Sequence, residues 1–165
     1  MVSMTPTTPR DAMTPRTLRA DFDDRRLHAF LQEHLDDLAP TAPPQSRHAL
    51  DLASLRQPEV RMWVVEDADE IVATGALAAL EPGHEELKSM RTHPRARGRG
   101  IAARLVEHLL DDARARGVRR VSLETGSMEF FAAARRVYAR AGFEVCAPFG
   151  SYVDDPHSTF MTRVV

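Results

Sequence analysis

The chain has one cysteine, one lysine and one tryptophan among its 165 residues. A lone Cys146 excludes an internal disulfide and a thiolate metal cage. The seven histidines are scattered, and HEELK (84–88) is not the H-E-x-x-H of a zinc helix, so no metal site is expected. No apolar run approaches the roughly 18 residues that cross a bilayer. The amino terminus has no apolar signal core, so a cytoplasmic protein that meets no membrane is expected. A strong excess of either charge is also missing. Net charge is −2 and the isoelectric point about 6.4, unlike a general nucleic-acid binder. With Lys88 the only lysine, nearly all positive charge is arginine.

What is present is the balance of a folded domain. Apolar residues make up 43% and charged residues 28%, and the length suits one domain with a core. Residues 1–16, MVSMTPTTPRDAMTPR, hold little to bury and are expected to be a disordered leader, dispensable to a domain over 17–165. TLRAD (17–21) alternates and predicts a strand. Asp23 or Asp24 is placed to cap a helix with Leu27, Phe30, Leu31, Leu35 and Leu38 on one face. After the stiff loop APTAPPQ (39–45), Ser46 is placed to cap a shorter helix through Leu55. Strands are predicted over 59–67, 70–80 and 85–92, the first two joined by an acidic turn at 67–69. A helix follows with Ile101, Leu105, Leu109 and Ala113 four apart, stopping at Gly117. A strand over 118–125, a helix over 130–141 ended by Gly142, and strands over 143–146 and 159–165 complete the chain. The order βαα-βββ-αβ-αβ-β is that of a single α/β domain, a mixed central sheet of about six to seven strands flanked by about four helices.

The densest signal is HPRARGRGIAARL (93–105). Five arginines, 91, 95, 97, 99 and 104, fall in a span with no acidic residue between Glu86 and Glu107. Gly98 and Gly100 sit just before the helix pattern begins at Ile101. A glycine-bearing turn at a helix start offers unpaired N–H groups and the positive end of the helix dipole, which suits phosphate. The third glycine of G-x-G-x-x-G is absent, and so is a Walker G-K-[ST]. A phosphate site and a plain solvated basic helix start remain equally open on these grounds. A nucleic-acid patch fits less well, because no aromatic interleaves the arginines.

RARGRGIA (95–102) resembles the R/Q-x-x-G-x-G/A signature of the GCN5-related N-acetyltransferases, or GNATs. AARRVYARAGFEV (133–145) resembles that family's A-x-x-x-Y-x-x-x-G-F segment, with Ala134, Tyr138, Gly142 and Phe143 in place. ELKSMRTHP, ETGSMEFF and DDPHSTFM are similar to a bacterial subgroup, and the element order resembles the family over about residues 17–165. The resemblance implies that acetyl-CoA, as co-substrate, is the anion. It implies that main-chain N–H groups of Arg97, Gly98, Arg99, Gly100, Ile101 and Ala102, with Arg95 beside them, surround the pyrophosphate. Met90, Arg91 and Thr92 would pair with the pantetheine arm, and one of their N–H groups would polarise the acetyl carbonyl. A splay between the strands at 85–92 and 118–125 would open the site. The family is often dimeric, so a homodimer is compatible with it.

Acetyl transfer to an amine needs a neutral amine, a stabilised oxyanion and a proton for the departing thiolate. The resemblance implies Tyr138 as the proton donor, against a plain core tyrosine. For the base it points first to Glu86 and second to Glu124, against ordinary strand-end charges. Period-two alternation places Glu86, Lys88, Met90 and Thr92 on one face. Phe131 stands where the family often has a pantetheine-binding asparagine, so an apolar contact is expected there. His48, Tyr152 and Asp154 are the acceptor-site candidates, with Asp154 a partner for a cationic amine; capping and turn roles are the alternative. The implied reaction is direct attack, in a ternary complex, by a primary amine of a small molecule or peptide. A non-catalytic acyl-CoA-binding regulatory module is the rival reading, fed by Phe131.

Overall fold

A computed structural model describes residues 14–165. The expectation for the leader lies outside the described residues up to 13, and Arg16 already belongs to the first strand. The elements are β1 Arg16–Arg19, α1 Arg25–Leu38, α2 Leu52–Leu55, β2 Val60–Asp67, β3 Glu70–Glu81, β4 His84–Thr92, α3 Ile101–Ala115, β5 Arg120–Gly126, α4 Ala132–Arg140, β6 Glu144–Val145 and β7 Ser158–Val164. One seven-stranded sheet runs β1-β2-β3-β4-β5-β7-β6. It is mixed: β4 and β5 are parallel, and the other pairs are antiparallel. The predicted α/β class and element order hold among the described residues.

The two faces are covered by different helices. Leu105 and Leu109 of α3 are fully buried with Leu77, Val121 and Leu123, as the four-residue spacing predicts. Each contributes about 1.5–3 kcal/mol by leaving water. The opposite face buries Leu27, Phe30 and Leu31 of α1 and Leu55 of α2 against Met62, Val64 and Ala76. Asp24 caps α1, accepting from the Arg26 amide at 2.8 Å. The second helix departs from expectation. Ser46 ends a 3-10 turn over Pro44–Ser46, and α2 is a single turn capped by Asp51. Residues 47–51 between the two take neither helix nor strand geometry.

Two irregularities in β4 position the site. Its pairing with β5 runs only from His84↔Arg120 to Leu87↔Leu123, so the strands part beyond Leu87. Its register with β3 also shifts: Thr74 faces Arg91 and Ala76 faces Lys88, leaving Ser89 and Met90 opposite Gly75 alone. This bulge overturns the expected single face of Glu86, Lys88, Met90 and Thr92. Lys88 lies beside Ala76 on the α1 face, whereas Met90 packs into the α3 core, and Thr92 pairs with Ala73 of that same core. One extra residue moves every later side chain to the other face.

Candidate active site

The turn before α3 is built by its own short sequence. Pro94–Ala96 form a 3-10 turn, and Gly98 and Gly100 then adopt φ of +75° and +71°. A side chain at either would strain the backbone. A Cβ on Gly98 would face open space, so conformation and not room selects glycine there. The first helical bond runs from the Arg104 amide to the Gly100 carbonyl at 3.1 Å. The amides of Gly98, Arg99, Gly100, Ile101, Ala102 and Ala103 therefore find no acceptor among the described residues, and no side chain caps them. Together they form a run of donors at the positive end of a 15-residue helix.

The arginines behave differently from their density in the sequence. Arg91 turns away from the turn and onto α1, where it bonds Asp37 at 2.6 Å and Glu33 at 3.3 Å and lies over the Phe30 ring. Arg95 pairs with Glu70, and Arg99 with Asp67 at 2.7 Å. The Arg104 guanidinium donates to the Arg99 carbonyl at 3.1 Å. Arg97 is exposed and has no ion-pair partner among the described residues. The acids absent from this stretch come from the β2–β3 hairpin and from α1, so most of the positive charge is already spoken for.

Where β4 and β5 part, a cavity of about 140 Å³ opens. It gathers Glu86, Lys88, Ser89 and Met90 of β4, Glu124 of β5, Phe131 and Tyr138 of the α4 region, and His48 from the chain between α1 and α2. Candidates far apart in sequence thus meet in one chamber. The lining also includes His34, Thr125, Gly126 and His157, which the sequence did not single out. Thr125 and Gly126 continue β5 beyond Glu124, whereas His34 and His157 arrive by tertiary contact.

Glu86 and Lys88, on the floor of the cavity, are held in a closed hydrogen-bonded triad with Tyr152, which lies outside the lining. Lys88 Nζ donates to Glu86 Oε1 at 3.0 Å and to the Tyr152 hydroxyl at 3.1 Å. The Tyr152 hydroxyl donates to the same Glu86 oxygen at 2.5 Å. Glu86 is only 6% exposed, yet its Oε2 accepts nothing from the described residues. Burial, and then the negative charge of Glu86, push the Tyr152 hydroxyl well above the ordinary tyrosine range. Tyr152 also packs edge-on against His48 at 4.9 Å and Phe149 at 5.2 Å. Tyr152 is therefore fixed in place behind Glu86 and Lys88 rather than in the lining itself. Asp154 is exposed and likewise outside the lining, while Asp155 makes the turn by accepting from the His157 amide at 2.8 Å.

The other ionisable groups are set by burial. Glu124 has its carboxyl raised above the usual glutamate range, chiefly by desolvation. Tyr138 is 7% exposed and joins the α3 core cluster, so the core and cavity readings both describe it. Desolvation, followed by the Glu124 charge, holds its hydroxyl protonated well above the ordinary tyrosine value. Burial and the neighbouring Arg91 pull His34 down to about 4, which leaves it neutral near pH 7. Phe131 packs its ring where a Cβ on Gly126 would come within 2.0 Å, so Gly126 is the complement of Phe131. Arg135 clamps this loop by donating to the carbonyls of Gly126 and Met128 at 2.6 and 3.0 Å. Cys146 is half-buried and lies outside the cavity.

Residues 25–143 match the Acetyltransferase (GNAT) family. The chain is 42% identical over 143 residues to the uncharacterized N-acetyltransferase YsnE of Bacillus subtilis, covering 87% of this chain and 95% of that one. It is 40% identical over 134 residues to an IAA acetyltransferase of Azospirillum brasilense, covering 81% and 84%. A Bacillus subtilis acetyltransferase solved in complex with CoA superposes with a TM-score of 0.65 at 14% identity, covering 92% and 99%, a likeness of fold. No helix among the described residues is long and apolar enough to cross a membrane. The chain belongs to the GNAT family and is an acyltransferase.

Proposed function

We propose that this protein uses acetyl-CoA to acetylate a primary amine of a small molecule or peptide, by direct attack in a ternary complex. The observation that carries the reading is the row of unpartnered amides from Gly98 to Ala103 beside a cavity holding Glu86, Glu124 and Tyr138. The amide row fits a pyrophosphate, which needs several donors at one concave spot. Bound there, acetyl-CoA supplies an activated acyl group on a thiolate leaving group. Phe131 offers the pantetheine arm an apolar contact in place of an amide side chain. The free edge of β4 at Met90, Arg91 and Thr92 is open to it, because β5 has diverged.

The chain's own groups divide the proton work. Glu124 takes a proton from the attacking amine, since its raised carboxyl is better matched to that task than an ordinary glutamate. Glu86, tied to Lys88 and Tyr152 through one oxygen, keeps Oε2 free to accept from the amine. As the C–N bond forms and the C–S bond breaks, Tyr138 gives its hydroxyl proton to the departing sulfur. Its depressed acidity keeps that proton in place until it is needed. Turnover of acetyl-CoA against a panel of primary amines, read as released thiol, tests the assignment. Thiol release that depends on an amine is expected. Tight acetyl-CoA binding with no transfer to any amine would favour the regulatory-module reading.

A further inference from the structure

Thr74, in the middle of β3, has no exposed surface. A hydroxyl sealed in this way needs a partner, and it donates to the Ser89 carbonyl at 2.9 Å. Ser89 has φ of +53°, a region that L residues avoid. Among the described residues the other non-glycine positions with positive φ, Ala68 and Asp69, form the tight β2–β3 turn, where such angles belong. Ser89 lies inside a strand, so something must hold it. Its own side chain does not: the Ser89 hydroxyl is buried and unpartnered. Cross-strand pairing does not either, since Ser89 and Met90 lack a register partner in both β3 and β5. On the other side of the bulge, Met90 is anchored by packing; a Cβ on Gly75 would meet its sulfur at 2.6 Å.

We propose that Thr74 is a positioning residue for acyl-CoA. Its hydroxyl holds Ser89 in the left-handed conformation and so fixes the direction of the Ser89–Met90 main chain where it lines the cavity. This inference rests on the acetyl-CoA reading above. Thr74→Val keeps the shape of the side chain and removes the donor, whereas Thr74→Ser keeps the donor. Ser89→Gly makes the positive φ intrinsically easy and so removes the need for a clamp.

The test is calorimetric binding of acetyl-CoA and of CoA to the full chain and to Thr74→Val, Thr74→Ser and the double variant Thr74→Val/Ser89→Gly. Affinity for acetyl-CoA should fall about tenfold in Thr74→Val, the worth of one buried hydrogen bond. CoA, which lacks the acetyl group, should lose much less. Thr74→Ser should bind both as the unaltered protein does, and the double variant should regain acetyl-CoA affinity. A folded protein recovered only as the double variant supports the proposal as well. Unchanged acetyl-CoA binding in Thr74→Val, equal losses for the two ligands, or a double variant as impaired as Thr74→Val overturns it. An unaltered protein that binds neither ligand overturns the acetyl-CoA reading itself, and this inference with it.

Discussion

The turn before α3 and the floor of the cavity are separated by only a few residues of β4, and they are built in opposite ways. The turn uses main-chain amides oriented by Gly98 and Gly100 within one short run of sequence. The floor uses side chains of β4 held by the chain before β7, with Glu86 and Tyr152 joined across a separation of 66 residues. Main-chain donors tolerate changes in the side chains around them and fail when the backbone changes. Side-chain chemistry fails one atom at a time.

The largest expected effect attacks the backbone side of this contrast. Gly100→Asp adds strain and a negative charge beside the amide row, and should weaken acetyl-CoA binding roughly a hundredfold by calorimetry. Binding that tolerates the change would show that the amides are not the anion site. On the side-chain side, Tyr138→Phe removes only the hydroxyl. It should lower kcat about a hundredfold while leaving acetyl-CoA affinity and Tm nearly intact. An unchanged kcat on the true acceptor, with a loss of stability of about 1 kcal/mol, would return Tyr138 to a purely core role.

Tyr152→Phe sharpens the comparison by opening the triad while keeping the ring packed behind it. Steady-state kinetics should show kcat/KM for the amine falling about tenfold, with acetyl-CoA affinity unchanged. Glu124→Gln has a smaller, pH-dependent signature. A carboxyl raised in the folded state costs stability to ionise as pH climbs from the ordinary glutamate value through the raised one. Thermal melts should therefore show Glu124→Gln gaining on the unaltered protein near pH 8 and not near pH 4. An acid limb in kcat/KM that survives this substitution would move the base to Glu86. Smallest of all should be Arg95→Ala and Arg99→Ala, about twofold or less on acetyl-CoA affinity, because both guanidinium groups already serve Glu70 and Asp67 at the surface.

The turn was legible because its causes are local. Glycine spacing, the helix start at Ile101 and the four-residue apolar repeat sit in consecutive residues, and backbone geometry follows from them. Tyr138 was legible for a related reason: Ala134, Gly142 and Phe143 mark its helix and stop. The pairing of the arginines was not legible, because their partners Asp67, Glu70, Glu33 and Asp37 lie elsewhere in the chain. Strand alternation misled at β4, because Ser89 takes a conformation no serine announces.

The sequence by itself determined the α/β element order, the helix faces and the amide row before α3, all consequences of residue spacing and glycine placement. Only the tertiary structure decided which candidates share the cavity. It closed Tyr152 onto Glu86, left Asp154 in solvent and buried Glu124. It also parted β4 from β5 after Leu87. Those outcomes depend on packing between distant segments, and burial and desolvation exist only once the segments have met.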